Sequence, residues 1–327
     1  MFSFRAISPL ANPLGNGGNA SVYRAQRTDI RNGSDIAVKI ILFHGSDEQQ
    51  KNIDEINLLT EKLEPILALR HPNLVHHIFH QRMLQKNQFT KCGLPTELHC
   101  PQYQIFMEYC AGGTLHDYVK INHLTAPQLQ NWTRQLVNGL TYLHEQQCVH
   151  RDIKGDNIFL TSAEPNSCLK IGDLGDIKQL VQSLTARREV SHDKGTFAFM
   201  SPEMILGEQN DDSCIVGRRT DIWSLGCVVI QMITGHAPRF YKPVVKGNGY
   251  VAIKEQLAIM YFVGKGGSPA IPSDLPEPIM DFLHKCFLRK STDRPYAPDL
   301  KKHPFLTADD VDHWTLPIRP DVNEGLR

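Results

Sequence analysis

Apolar and polar residues alternate along the first part of the chain. "ASVYRAQR" (20–27) and "DIAVKIILF" (35–43) follow the period of a strand, with the turn signal "RNGSD" between them. Roughly residues 47–69 switch to leucines and isoleucines at three-to-four spacing, which predicts a helix whose end Pro65 should disturb. "HPNLVHHIF" and "YQIFMEY" predict two more strands, separated by a long polar loop at about 84–101. From about residue 114 the texture is helical. "TAPQLQNWTRQLVNGLTYLHEQ" (125–146) is amphipathic, with a threonine cap and a proline in its first turn. "IWSLGCVVIQMI" (222–233) is apolar but too short and interrupted to span a bilayer, and predicts a buried helix. The expected architecture is α+β: a small β-rich lobe over 1–109, a larger helical lobe over 110–306, and a loosely ordered tail over 307–327. The seam is expected near "EYCAGG" (108–113), where glycines provide a hinge.

Composition narrows this picture. Lys+Arg equals Asp+Glu, 35 each, so no global field favours nucleic acid or an anionic membrane. The Met-Phe-Ser-Phe-Arg start lacks the layout of a signal peptide. Eight cysteines are scattered without CxxC pairs, which leads us to expect reduced thiols and a cytoplasmic location. Cys92, His99 and Cys100 share one loop, but their spacing fits no zinc finger or ribbon and a fourth ligand is missing.

The chemistry starts at "LGNGGNASV", that is Leu14, Gly15, Asn16, Gly17, Gly18, Asn19, Ala20, Ser21 and Val22. Gly15 and Gly17 let the backbone bend and bring its N–H groups close to phosphates; alone, the stretch fits an ordinary hairpin equally well. "IAVK" (36–39) follows on the next strand. A buried Lys39 requires anions, phosphates on one side and a carboxylate on the other. Glu55, from "EINLL", is the chosen carboxylate; Glu61 and Glu64 are rivals, because the stretch to His71 is longer than expected. In "HRDIKGDN" (150–157), Asp152 can accept a hydroxyl proton, Lys154 can neutralise a transferring phosphate, and Asn157 can hold a metal through its carbonyl oxygen. Asp173 opens "DLG" sixteen positions after Asn157 and completes an oxygen site suited to magnesium. "GTFAFMSPE" (195–203), "TDIWSLG" (220–226) and "STDRP" (291–295) follow.

This ordered set resembles the eukaryotic protein kinase family over roughly residues 10–306, and so implies a bilobal protein-kinase-like fold with one catalytic domain. By that resemblance ATP and Mg²⁺ are bound. Lys39 grips the α- and β-phosphates, and Asp152 orients and deprotonates the acceptor hydroxyl. Asn157 and Asp173 hold magnesium. Ala37 lines the nucleotide site, Met107 is the gatekeeper, Glu108 and Cys110 offer backbone groups to adenine, and Phe159 forms the floor. Asp221 braces the catalytic loop, and Glu203 pairs with Arg294. Lys154 two residues after Asp152, together with Thr196, resembles Ser/Thr kinases. "HRDIKGDNIFL", "GTFAFMSPEMI", "TDIWSLGCVVIQMITG" and "IMYFVGKGGSPAIP" resemble the MEKK group of MAP kinase kinase kinases, and "MEYCAGGTL" and "NIFL" its MEKK4-like branch. The implied substrate is a MAP kinase kinase, phosphorylated on Ser/Thr.

Several positions depart from the family pattern. Ala20 replaces the third glycine of the phosphate loop, and Phe199 and Ser201 replace the more usual tyrosine and alanine. Leu174 stands where Asp-Phe-Gly has its phenylalanine; leucine retains apolar contact, loses ring stacking of about 1 kcal/mol, and removes no ligand. Arg151 is expected to pair with an activation-segment phosphate, with Ser183, Thr185 and Ser191 as candidate acceptors of it and Thr196 in a structural role. Two rival readings stay open: a pseudokinase scaffold, and a Ser/Thr kinase outside the MAP kinase cascade.

Overall fold

The structure, a computed structural model, describes residues 4–6, 13–17, 20–28, 33–43, 49–83, 102–174, 178–179, 196–207, 217–243 and 249–317. The chain divides into two units: Met1–His71 with Val75–Ala111, and Pro72–Leu74 with Gly112–Arg327.

In the first unit, β1 (Phe4–Ala6), β2 (Gly15–Gly17), β3 (Ala20–Arg27), β4 (Asp35–Leu42), β5 (His77–Met83) and β6 (Gln102–Glu108) form one antiparallel sheet. The order is β1-β3-β4-β6-β5, with β2 also paired to β3. The alternation predicted for β4 decides its two faces. Ile36, Val38 and Ile40 are buried with Ala25 and Phe106, and Phe79 stacks on Phe106 at 4.3 Å. Directly opposed residues share a face of a sheet. Lys39 lies between Val22 and Ile105, so it belongs to the other face, with Ala37 and Met107.

Helix α1 (Gln49–Leu67) buries Ile56, Leu63 and Ile66. Pro65 lies inside it rather than ending it. The disturbance instead tightens the last turn, where Ala68 and Leu69 donate to the carbonyls of Pro65 and Ile66, three residues back.

The second unit contains α2 (Leu115–Ile121), α3 (Ala126–Glu145), β7 (Cys148–Val149), β8 (Ile158–Leu160), β9 (Leu169–Ile171), β10 (Lys178–Gln179), α4 (Pro202–Leu206) and α5 (Arg218–Thr234). It continues with the hairpin β11 (Phe240–Pro243) and β12 (Tyr250–Ile253), then α6 (Gln256–Gly264), α7 (Glu277–Cys286), α8 (Ala297–Leu300) and α9 (Pro304–Thr307). Thr114 and Thr125 cap α2 and α3 by accepting from the amides of Asp117 and Gln128. Every residue of α5 from Thr220 to Ile233 is buried, which is why its sequence shows no polar face.

The chain expected to loosen from residue 307 is instead held as far as Trp314. Gln130 Nε2 donates to the carbonyls of Phe305 at 3.0 Å and Ala308 at 2.9 Å. Val311 is buried and Trp314 stacks on Phe305. These apolar anchors are too irregularly spaced to register as periodicity. Residues 318–327 and the 84–101 loop, with Cys92, His99 and Cys100, lie outside the described residues. Among the described residues no helix is long and apolar enough to cross a membrane.

Candidate active site

The predicted site residues fall on both units. On the second, the segment between β7 and β8 is held from beneath by α5. Asp221 is wholly buried. Its Oδ2 accepts from His144 Nε2 at 2.9 Å and from the His150 amide at 2.9 Å, and its Oδ1 accepts from the Arg151 amide at 2.8 Å. Burial pushes the Asp221 carboxyl up. The hydrogen bonds from His144 and the Arg151 amide outweigh it and hold the group below its ordinary value. The carboxylate therefore stays ionised and its two amide partners stay fixed.

Above it, the His150 ring satisfies two demands with one tautomer. Nε2 donates to the Gly172 carbonyl at 2.8 Å, while Nδ1 accepts from the Asp152 amide at 3.2 Å. The Gly172 amide donates to the Asn157 carbonyl at 2.8 Å. These bonds tie the turn carrying Asp173 to the loop carrying Asp152 and Asn157. Arg151 and Asp173 adopt left-handed φ values of 70° and 51°. Each costs about 1–3 kcal/mol and is retained where the surroundings over-determine it.

Asp152 Oδ2 accepts from Lys154 Nζ at 2.9 Å and from Asn157 Nδ2 at 2.8 Å. Asn157 Nδ2 also donates to the Asp152 carbonyl at 2.8 Å. With Nδ2 committed, Asn157 Oδ1 is directed away from Asp152. Among the described residues, the hydrogen bonds to the Asp152 carboxylate fall on Oδ2. Leu174 is only 1 % exposed, which fits an apolar packing role at that turn.

Sequence reasoning missed a support under this loop. A β-carbon on Gly155 would lie 2.4 Å from Gln231 Oε1, so the close approach itself requires glycine. Gln231 is fully buried on α5 and donates from Nε2 to His116 Nδ1 at 2.9 Å. The available signal was a lone amide inside an apolar run. The segment that follows is also pinned to α5. Arg294 meets Glu203 through two parallel bonds of 2.7 and 3.0 Å, Thr220 donates to Glu203 at 3.0 Å, and Ser224 donates to the Phe199 carbonyl at 2.8 Å. Thr196 lies in the short 3-10 turn Thr196–Phe199. Phe159 sits half-buried between the buried Ile158 and Leu160.

On the first unit, Gly15–Gly17 pairs back onto Ala20–Val22, with the Leu14 amide donating to the Val22 carbonyl at 2.7 Å. Lys39, Ala37, Val22 and Met107 share the sheet face described above. Glu108 is tied back to His76. Its amide donates to the His76 carbonyl at 2.9 Å, and its Oε1 accepts from the His76 amide at 2.6 Å. Cys110 is half-buried just beyond. Glu55 and Glu61 are exposed on α1 and make no ion pair among the described residues. Glu64 is also exposed, with Oε1 3.6 Å from His80 Nε2. Gly18, Asn19, Ser183, Thr185 and Ser191 lie outside the described residues, as do the side chains of Asn16 and Thr196.

The protein kinase domain matches residues 10–306. The chain belongs to the protein kinase family. It is 34 % identical over 296 residues to mitogen-activated protein kinase kinase kinase 4 of Homo sapiens, covering 90 % of this chain and 16 % of that protein. It is 32 % identical over 297 residues to mitogen-activated protein kinase kinase kinase A of Dictyostelium discoideum, covering 90 % of this chain and 27 % of that protein. It is 33 % identical over 301 residues to mitogen-activated protein kinase kinase kinase ANP1 of Arabidopsis thaliana, covering 90 % of this chain and 39 % of that protein. The chain thus spans between 16 and 39 % of the length of these curated relatives. The expected resemblance to the protein kinases and their MAP kinase kinase kinase group is borne out. A protein kinase takes ATP as substrate and generally a divalent metal. The donor set fits such a metal: the amide oxygen of Asn157 and the carboxylate of Asp173 are hard oxygen ligands on two segments joined by backbone hydrogen bonds.

Proposed function

We propose that this chain transfers the γ-phosphate of ATP to Ser/Thr hydroxyls of a MAP kinase kinase. The observation that carries the reading is the arrangement of Asp152, whose Oδ2 is held by Lys154 and Asn157. The Asp152 carboxylate receives the proton of the acceptor hydroxyl as that oxygen bonds to phosphorus. Lys154 balances charge on the transferred phosphoryl group, and Lys39 orients the phosphates that remain with ADP. Asn157 and Asp173 would hold Mg²⁺, which supplies charge neutralisation on the phosphates. Gly15, Gly17 and neighbouring backbone groups are the proposed phosphate-binding groups, and Ala37, Met107, Glu108, Cys110 and Phe159 the proposed base-binding residues. Glu55 is the proposed carboxylate partner of Lys39. The Arg151 guanidinium binds a phosphate carried by the activation segment on Ser183, Thr185 or Ser191, and Thr196 has a structural role. Five free cysteines among the described residues support a reducing, cytoplasmic setting.

The test is transfer from labelled ATP with Mg²⁺ to an inactive MAP kinase kinase, beside Asp152→Asn. Loss of a general base lowers the rate about 10²–10⁴-fold, so signal is expected from the natural chain and not from the variant. Equal signal from both removes the mechanism. ATP binding without transfer, even after the activation segment is phosphorylated, makes the chain a scaffold. Transfer to other Ser/Thr proteins but not to a MAP kinase kinase keeps the enzyme and removes the cascade.

A further inference from the structure

Helix α6, "QLAIMYFVG", carries no charged side chain and is apolar around its circumference. One side is used. Ile259 and Val263 are buried, and Phe262 meets Phe240 of β11 edge-on at 6.4 Å. The other side is open. Leu257 and Tyr261, one turn apart, are 77 and 69 % exposed. A helix apolar all round belongs in an interior or against a partner. The stripe continues past its ends. One turn beyond Tyr261 stands Gly264, and Leu206 of α4 fills the place of its missing side chain, with Cδ2 3.4 Å from where a β-carbon would be. Leu206 is itself exposed, as are Tyr250 and Val251 on the strand that leads into α6. Leu257, Tyr261 and Leu206 therefore form one exposed apolar surface, and Val251 lies on the hairpin face that meets α6 through Phe240.

The rim of this patch is basic. Lys242, Lys254 and Lys265 are exposed at its edges, with Glu255 at the start of α6 as the neighbouring acid, in a chain whose acidic and basic totals are equal. Lys242 lies opposite Val251 across the hairpin, and Lys265 Nζ is 5.8 Å from the Tyr261 ring centre.

We propose that this surface docks the protein substrate through a segment presenting apolar and acidic side chains, an inference that rests on the kinase reading above. Charge complementarity selects that occupant. A second copy of the chain would bring basic rim onto basic rim. Docking here holds the substrate on the same unit as Asp152, through contacts distinct from those with its acceptor hydroxyl. A folded substrate gains from it, and a short acceptor peptide does not.

The experiment compares two double variants of the full chain, Leu257→Ala with Tyr261→Ala and Lys254→Glu with Lys265→Glu. Each is assayed on a folded, inactive MAP kinase kinase and on a short peptide of its activation segment. KM for the folded substrate is expected to rise about tenfold in both, with KM for ATP and kcat/KM for the peptide unchanged. Ile121→Ala, which trims an exposed residue of α2, should change nothing. An unchanged KM for the folded protein overturns the proposal, as does an equal loss on peptide and protein. A natural chain that is dimeric and becomes monomeric in the apolar variant gives the surface to a second copy instead. Transfer by the natural chain without any effect of the variants defeats docking alone; no transfer to either substrate defeats the kinase reading and this inference with it.

Discussion

Around Asp152, backbone amides, a histidine ring and a buried carboxylate from α5 determine where each group points. Around Lys39, the pleat of β4 does that work: the side chain lies on the face opposite Ile36, Val38 and Ile40 because strands alternate. The first arrangement depends on residues about seventy positions apart, such as His150 and Asp221. The second depends on neighbours in one sheet, and the candidate acidic partners on α1 are solvent-exposed. Substitutions in the catalytic segment should therefore damage fold and activity together. Substitutions on the exposed face of α1 should separate the two.

The sharpest break is Asp221→Ala. It strips the acceptor from His144 and from two amides of the catalytic segment. A loss of about 3 kcal/mol in denaturant melts is expected, with phosphate transfer down about a hundredfold or more through misplacement of Asp152. Arg294→Ala comes next, because it leaves the buried Glu203 carboxylate without its paired cation; unfolding should show a loss of about 3–5 kcal/mol. This pair also fixes a pH dependence. Burial raises the Glu203 carboxyl, but its bonds to Arg294 outweigh that and hold it below its ordinary 4.5. A depressed folded value means the contribution is present above 4.5 and is lost as pH falls through the folded value. Melts followed downward from neutral pH should show the stability gap between the natural chain and Arg294→Ala narrowing as Glu203 becomes protonated.

Glu55→Gln tests the other side of the comparison. Its stability should stay within about 0.5 kcal/mol, as for an exposed site, while kcat/KM for ATP falls about tenfold if it serves Lys39. Glu61→Gln should alter neither quantity, and a fall confined to Glu64→Gln would transfer the role. The smallest effect is expected at Leu174→Phe. The site is fully buried, so the larger ring should overpack it by about 1 kcal/mol, with transfer retained because Asp173 is untouched.

The sequence by itself determined the elements whose pattern is local: the alternation of β3 and β4, the period of α1 and α3, and the threonine that caps α3. It also named Asp152, Lys154, Asn157 and Asp173, because their order and spacing in one short stretch are themselves the signal. Tertiary structure decided what no window of residues contains. Gln231 sits in a run that reads only as core, yet its amide lies under Gly155 and bonds to His116, more than a hundred positions away. Residues 307–317 show no periodicity, yet Val311 is buried and Trp314 stacks on Phe305. Helices α5 and α6 are both apolar, and the fold distinguishes them: α5 is buried from Thr220 to Ile233, while Leu257 and Tyr261 of α6 face solvent. Periodicity reports which side chains share a face; what covers that face is set by segments far away in the chain.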